Sequence, residues 1–252
     1  MLRAFADGRL TGETFGAGRP SVLALHGWER SHRDFGATLA PPGSAPLNAI
    51  ALDLPGFGTT PAPPEAWGSR EYAELVAEVL AEMDTPAVVL GHSFGGRVAM
   101  QLAAQRPDDV AALVLTGVPL VPLGPGRKTP LAFRAGRLLH RAGLVSEPRM
   151  EALRQRYGSA DYRAAQGIMR QVLVRAVNER YDDVLEAIRC PVTLVWGDDD
   201  SVVPIMVARS ATVNLENAQL VVCPGAGHLT PLSAPAALRG AVDERLAERG
   251  SR

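Results

Sequence analysis

The chain has 252 residues, a formal net charge of −1 and 46% apolar residues, the balance of an ordinary globular protein, and nothing in it points to nucleic acid or a membrane surface. No apolar run approaches the ~18 residues of a membrane span, and the N-terminal MLRAFADGRL lacks the apolar stretch of about 7–15 residues of a secretory signal. Cys190 and Cys223 are too few for a disulfide framework and lack metal-site spacing, so a reduced, cytoplasmic protein is expected.

In chain order, residues 2–15, centred on Asp7-Gly8, predict a hairpin at one edge of a sheet. Short apolar runs follow, each ending in glycine, proline or a polar turn: SVLALHG, NAIALDLPG, PAVVLGHS, AALVLTGVP, PVTLVWGDDD and AQLVVCPGAGH. Near-continuous hydrophobicity is what a parallel strand buried on both faces requires. Between several of these runs lie helical patterns, roughly over 69–83, 94–106, 204–213 and 233–248. Strand alternating with helix predicts an α/β fold with a mostly parallel sheet.

One segment breaks the alternation. From 119 to 189 the pattern is helical, as in PLAFRAGRLLHRAGL and YRAAQGIMRQVLVRAVN, and reads as a lid inserted into a core made of 1–118 and 190–252. Its basic residues outnumber its acidic ones by six, although Lys128 is the only lysine of the chain. Two readings of that excess stand: a solvated helical surface, or arginines turned inward toward an anionic substrate group.

The residues able to carry chemistry sit at strand ends. GHSFG places Ser93 between a buried run and a helical one, and a sharp strand-to-helix turn of this kind lifts a hydroxyl above a sheet. A serine hydroxyl attacks well only when a base removes its proton. Of the five histidines, His228 follows the last strand at the same edge of the sheet. His92 adjoins Ser93 but points away from it along the turn, His26 orders its own loop, and His32 and His140 have surface or packing roles. The base in turn needs a carboxylate to fix its tautomer. VWGDDDSVVP supplies three aspartates, of which Asp200 is the first choice and Asp199 the fallback. Consecutive side chains diverge and no second ligand cluster is evident, so no metal is expected, and no organic cofactor is needed.

With these residues in place, the chain resembles the α/β-hydrolase fold, over a span from about residue 20 to its end. The order Ser93, Asp200, His228 is the one that fold shows. Its acid-loop pattern G-x-x-D-x-x-V-P matches Gly197, Asp200, Val203 and Pro204, and its HG-x motif matches His26, Gly27 and Trp28. The resemblance implies an oxyanion hole built from the backbone N–H groups of Trp28 and Phe94. HGW, DLPGFG and a small helical cap are similar to carboxylesterases of the pimeloyl methyl ester esterase type, which implies a serine esterase acting on a small molecule. The elbow GGRVAM resembles that of the menaquinone-pathway lyase MenH, which implies a substrate-binding role for Arg97 on an anionic compound; pairing of Arg97 with a surface carboxylate is the competing reading. A ligand-binding protein on the same fold is the alternative outside enzymes. Two departures narrow the choice. Serine replaces the aspartate nucleophile of epoxide hydrolases and haloalkane dehalogenases, and HLTPLS lacks the tryptophan that usually follows the histidine in ring-cleavage carbon–carbon hydrolases. Ser233, standing where the wider family often has an acid, is expected to N-cap the final helix.

Overall fold

The computed structural model describes residues 1–121, 131–157, 160–215 and 217–251. Strands β1 (Leu2–Phe5) and β2 (Leu10–Phe15) form the expected antiparallel hairpin, and β2 pairs antiparallel with β4 (Ala49–Asp53). Strands β3 (Val22–Leu25), β5 (Ala87–His92), β6 (Val110–Thr116), β7 (Val192–Gly197) and β8 (Ala218–Cys223) continue the sheet in parallel with β4. Among the described residues the order is β1-β2-β4-β3-β5-β6-β7-β8. Each of the six apolar runs is a strand, and the N-terminal hairpin adds the antiparallel edge.

Alternation along the strands sorts the core into two faces. Leu23, Leu25, Ile50, Leu52, Val89 and Leu115 point to one face, where they meet α2 (Ser69–Ala77) and α3 (Phe94–Gln105). Val22, Ala24, Ala49, Ala51, Val88 and Leu90 point to the other, against α1 (Gly36–Leu39) and Leu238, Ala241 and Val242 of the C-terminal helix. Side chains are buried on both sides of these strands, which is why the sequence runs apolar without a period of two.

Helices α4 (Leu131–Arg141), α5 (Glu147–Tyr157), α6 (Ala160–Ala164), α7 (Gly167–Asn178) and α8 (Asp182–Ala187) lie between β6 and β7. Residues 122–130 and 158–159 of the predicted insertion, Lys128 among them, lie outside the described residues. α9 (Met206–Asn214) joins β7 to β8, and the chain then closes through α10 (Thr230–Ser233) and α11 (Pro235–Gly250). None of the helices described is long and apolar enough to cross a membrane.

Two local expectations change. The helical pattern over 69–83 ends as an α-helix at Ala77 and tightens into a 3₁₀ turn over Glu78–Glu82. Ser233 is not the N-cap of the last helix: Ala234 holds that place, and the Ser233 hydroxyl donates back to the Leu229 carbonyl. Pro235 at the first helical position has no N–H to cap and presets the helical φ, so the start is set without a side-chain cap.

Cys190 precedes β7 and Cys223 ends β8; the register Val192↔Ala218 to Gly197↔Cys223 puts them at opposite ends of the strand pair, and both are free thiols. The burial pattern gives a stability test. Leu52 is fully buried, so Leu52→Ala is expected to lower unfolding free energy in urea by about 2–5 kcal/mol. Val213→Ala, at a residue 84% exposed, is expected to change it by less than about 0.5 kcal/mol.

Candidate active site

The parallel strands end at one edge of the sheet, and every residue singled out for chemistry sits there. β5 ends at His92, and Ser93 turns the chain into α3 with φ 48 and ψ −109, a conformation side chains rarely adopt. The turn is held by the Ser93 N–H on the Thr116 carbonyl and the Gly95 N–H on the His26 carbonyl, each at 2.9 Å. A Cβ on Gly95 would fall on the Leu25 carbonyl oxygen, so only glycine lets α3 start this close to β3.

His228, in the loop after β8, reaches both other candidates. Its Nε2 lies 3.2 Å from Ser93 Oγ and its Nδ1 lies 2.8 Å from Asp200 Oδ2. The Asp200 carboxylate can only accept, so Nδ1 carries the proton and Nε2 turns its lone pair to the serine hydroxyl. The second oxygen of Asp200 accepts the N–H groups of Val202 at 2.9 Å and Val203 at 2.8 Å. Burial pushes this carboxyl up, but His228 and the two amides outweigh it and hold its pKa below the ordinary value. The loop itself is pinned by the buried Trp196, whose indole N–H donates to the Val203 carbonyl at 2.9 Å.

Asp199, the fallback, is exposed, and its backbone N–H donates to the Ala226 carbonyl. Asp198 accepts the Gly225 N–H at 2.7 Å. Geometry therefore separates the three aspartates: Asp200 meets the histidine, and its neighbours fasten the histidine's loop.

The N–H groups of Trp28 and Phe94 have no acceptor among the described residues. Their aim follows from His26. Its Nδ1 donates to the Gly27 carbonyl at 2.7 Å and its Nε2 accepts the Leu54 N–H at 3.0 Å, which fixes a neutral tautomer. Burial drives its pKa down to about 4. In a trans peptide the carbonyl and N–H point opposite ways, so holding the Gly27 carbonyl on His26 turns the Trp28 N–H away from it. Gly27 itself abuts Ser93, since a Cβ on it would stand 3.4 Å from Ser93 Cβ. Trp28 also packs edge-on against Phe57 and Phe94, with ring centroids 4.9 and 5.5 Å apart.

Several contributors escaped the sequence reading. Asp53, fully buried, accepts both the backbone N–H and Nδ1 of His32 at 2.8 Å, together with the Thr59 N–H at 3.0 Å, and so ties the HGW loop to DLPGFG. An aspartate ending an otherwise apolar strand was the available signal. Gly117, with φ 61, faces His228: a Cβ there would meet His228 Cε1 at 2.9 Å. His92, expected only to turn away from Ser93, has its Nε2 3.0 Å from the His228 carbonyl. Arg97, one turn into α3, donates through Nη1 to the Ala176 carbonyl near the end of α7, and its guanidinium lies 5.6 Å from the Tyr181 ring centroid. Among the described residues no group of three or more His, Cys, Asp or Glu is arranged to hold a metal ion.

The model of the alpha/beta hydrolase family matches residues 22–241. A pimeloyl-[acyl-carrier protein] methyl ester esterase of Neisseria meningitidis serogroup C is 30% identical over 230 residues, covering 84% of this chain and 88% of that protein. A 2-hydroxy-6-oxononadienedioate/2-hydroxy-6-oxononatrienedioate hydrolase of Cupriavidus pinatubonensis is 28% identical over 240 residues, covering 84% and 82%. Among solved structures, a thermophilic esterase of Thermogutta terrifontis superposes with a TM-score of 0.70 at 23% identity, covering 98% of each chain. That last likeness speaks for the fold.

The buried histidines make stability depend on pH. His26 and His92 are both held near a pKa of about 4, while an unfolded histidine takes its proton near 6.5. The unfolded chain therefore binds more protons below about pH 6.5, and stability is expected to fall between there and about 4, by up to roughly 1.4 kcal/mol per pH unit for each histidine. The depressed carboxyls Asp53 and Asp200 add to the loss only as the pH falls below the ordinary carboxylate range. Urea unfolding at pH 7.5, 6.5, 5.5 and 4.5 measures this, and a flat profile over that range would contradict two neutral buried rings.

Proposed function

The chain belongs to the alpha/beta hydrolase family, and we propose that it acts there as a serine hydrolase on a small carboxylic ester or related acyl compound, through an acyl-enzyme intermediate. The observation that carries this reading is the continuous hydrogen-bonded line from Ser93 Oγ through His228 to Asp200, at 3.2 and 2.8 Å. Ser93 Oγ attacks the carbonyl carbon while its proton passes to His228 Nε2, and Asp200 stabilises the imidazolium that forms. The carbonyl oxygen, now anionic, is received by the N–H groups of Trp28 and Phe94, each such donor contributing about 10²–10³ in rate. The proton on Nε2 then goes to the departing alcohol oxygen. Water, deprotonated by His228, attacks the acyl-serine, and the acid leaves as Ser93 regains its proton.

Helices α4–α8 serve in this reading as a lid over the strand ends. Supporting it, α7 docks on the core beside the site: Met169 lies against Gly56 of DLPGFG, Arg175 donates to the Ala66 carbonyl, and Glu179 accepts the Ser69 N–H. The lyase reading assigns Arg97 to an anionic substrate. Its contacts with the Ala176 carbonyl and the Tyr181 ring favour instead a role in fastening α7 to the elbow helix.

Activity on p-nitrophenyl butyrate and a panel of methyl esters varying in acyl length and terminal charge tests these assignments. Ser93→Ala and His228→Ala are expected to lose at least about 10³-fold in kcat, and Asp200→Asn about 10⁴-fold. Asp199→Asn is expected to stay near wild type. Wild-type turnover by the serine variant would overturn the mechanism, and failure of a fluorophosphonate to label folded Ser93 would favour a ligand-binding protein. Arg97→Met is expected to affect neutral and anionic esters alike; a loss confined to anionic esters would restore the substrate-binding role.

A further inference from the structure

Ser93 and His228 follow β5 and β8, which are separated in the sheet by β6 and β7. Their 3.2 Å contact therefore depends on how the loop after β8 is held relative to β5. Most fastenings of that loop lead elsewhere. The Gly225 N–H on the Asp198 carboxylate and the Asp199 N–H on the Ala226 carbonyl bind it to the acid's loop, and the Thr230 hydroxyl binds Gly227 within the loop itself. Apart from the Ser93 contact, one side-chain hydrogen bond among the described residues joins it to β5: His92 Nε2 to the His228 carbonyl, at 3.0 Å.

The chemistry of that bond is determined. A carbonyl only accepts, so Nε2 carries the ring proton and Nδ1 is a bare lone pair, buried without a donor. The ring is 1% exposed, and its centroid lies 5.1 Å from that of His228. Burial, with His228 beside it, brings its pKa to about 4, while Asp34 and His26 are the other charged or titratable groups that act on it. A donor that burial keeps neutral at ordinary pH thus stands one residue before the serine and grips the main chain of His228.

We propose that His92 is a positioning residue for His228: its Nε2–H fixes the His228 main chain and so sets the distance between base and nucleophile, without touching substrate. The proposal rests on the reading of Ser93 and His228 as nucleophile and base. It also predicts which distance suffers when the bond is lost. The His228–Asp200 pair is held by the ties between the β7 and β8 loops, so the imidazole stays on its carboxylate while its separation from Ser93 grows. Proton transfer slows and ground-state binding does not.

The test compares His92→Leu, which removes the donor, with His92→Gln, whose amide N–H reaches to about where the imidazole Nε2 stands. Ser93→Ala is assayed in parallel on p-nitrophenyl butyrate. For His92→Leu, kcat is expected to fall about 10- to 100-fold with KM within about twofold, and fluorophosphonate labelling of Ser93 is expected to slow by the same factor. His92→Gln is expected to return kcat to within about threefold of wild type. A His92→Leu enzyme within about twofold of wild type, a loss carried by KM, or a His92→Gln variant as slow as His92→Leu would overturn the proposal. Should either variant fail to fold, ¹⁵N NMR of the wild-type protein decides: His92 is expected to keep its proton on Nε2 from pH 7.5 to 5.5, and an Nδ1–H tautomer or an imidazolium in that range would overturn it. The two readings fail distinguishably. An active Ser93→Ala rejects the serine mechanism and this proposal with it, whereas an inactive Ser93→Ala beside a fully active His92→Leu rejects the positioning role alone.

Discussion

At Ser93 the backbone reverses through φ 48 and ψ −109, and the hydroxyl that this turn presents is where His228 arrives. A non-glycine residue held there costs about 1–3 kcal/mol and persists only when its surroundings over-determine it. Two peptide hydrogen bonds do so, from Ser93 to the end of β6 and from Gly95 to His26 at the end of β3. They tie the elbow to both neighbours of β5 in the sheet. With those N–H groups engaged, the Phe94 N–H, next to Ser93 in the chain, has no acceptor among the described residues. Because β6 and β7 intervene, His228, arriving from β8, must cross them on a loop.

That loop and its neighbours are organised by buried polar side chains. His26 joins the HGW loop to Leu54, His32 joins Asp53, and His92 joins the elbow to His228. Loop backbone cannot satisfy itself as strands and helices do, so buried side chains supply the missing partners. A second proton on His26 or His92 would be a buried charge, and burial keeps both rings neutral. The same two rings link the architecture of the site to the fall in stability expected on acidification.

The helices between β6 and β7 meet this frame through α7. Arg97, Met169, Arg175 and Glu179 all lie at that junction, and each engages the opposing segment's backbone or packs against it. In this family the core and the strand-end motifs are shared across many substrates. Here α7 sits on both the elbow helix and DLPGFG. Arg97, which sequence pattern offers as a substrate ligand, is engaged there with the Ala176 carbonyl and the Tyr181 ring.

Sequence alone determined the strands, their parallel sense and the residues at their ends. Six runs buried on both faces announce themselves by continuous hydrophobicity, and Ser93, Asp200 and His228 stand out because polar residues closing such runs have few structural reasons to be there. That Asp200 rather than Asp199 meets His228 agrees with the resemblance of Gly197, Asp200, Val203 and Pro204 to the family's acid-loop motif. The start of the last helix was misread at Ser233, because Pro235 makes a capping side chain unnecessary. The pairing of Asp53 with His32, the pairing of Arg97 with Ala176, the glycine demanded at 117 and the grip of His92 on His228 were decided by tertiary structure. Each joins segments separated by 21 to 136 positions or, for Gly117, a ring 111 residues away. Periodicity reports which face of an element is buried; which distant backbone atom a buried side chain meets is set only when the sheet has assembled and brought the strand ends together.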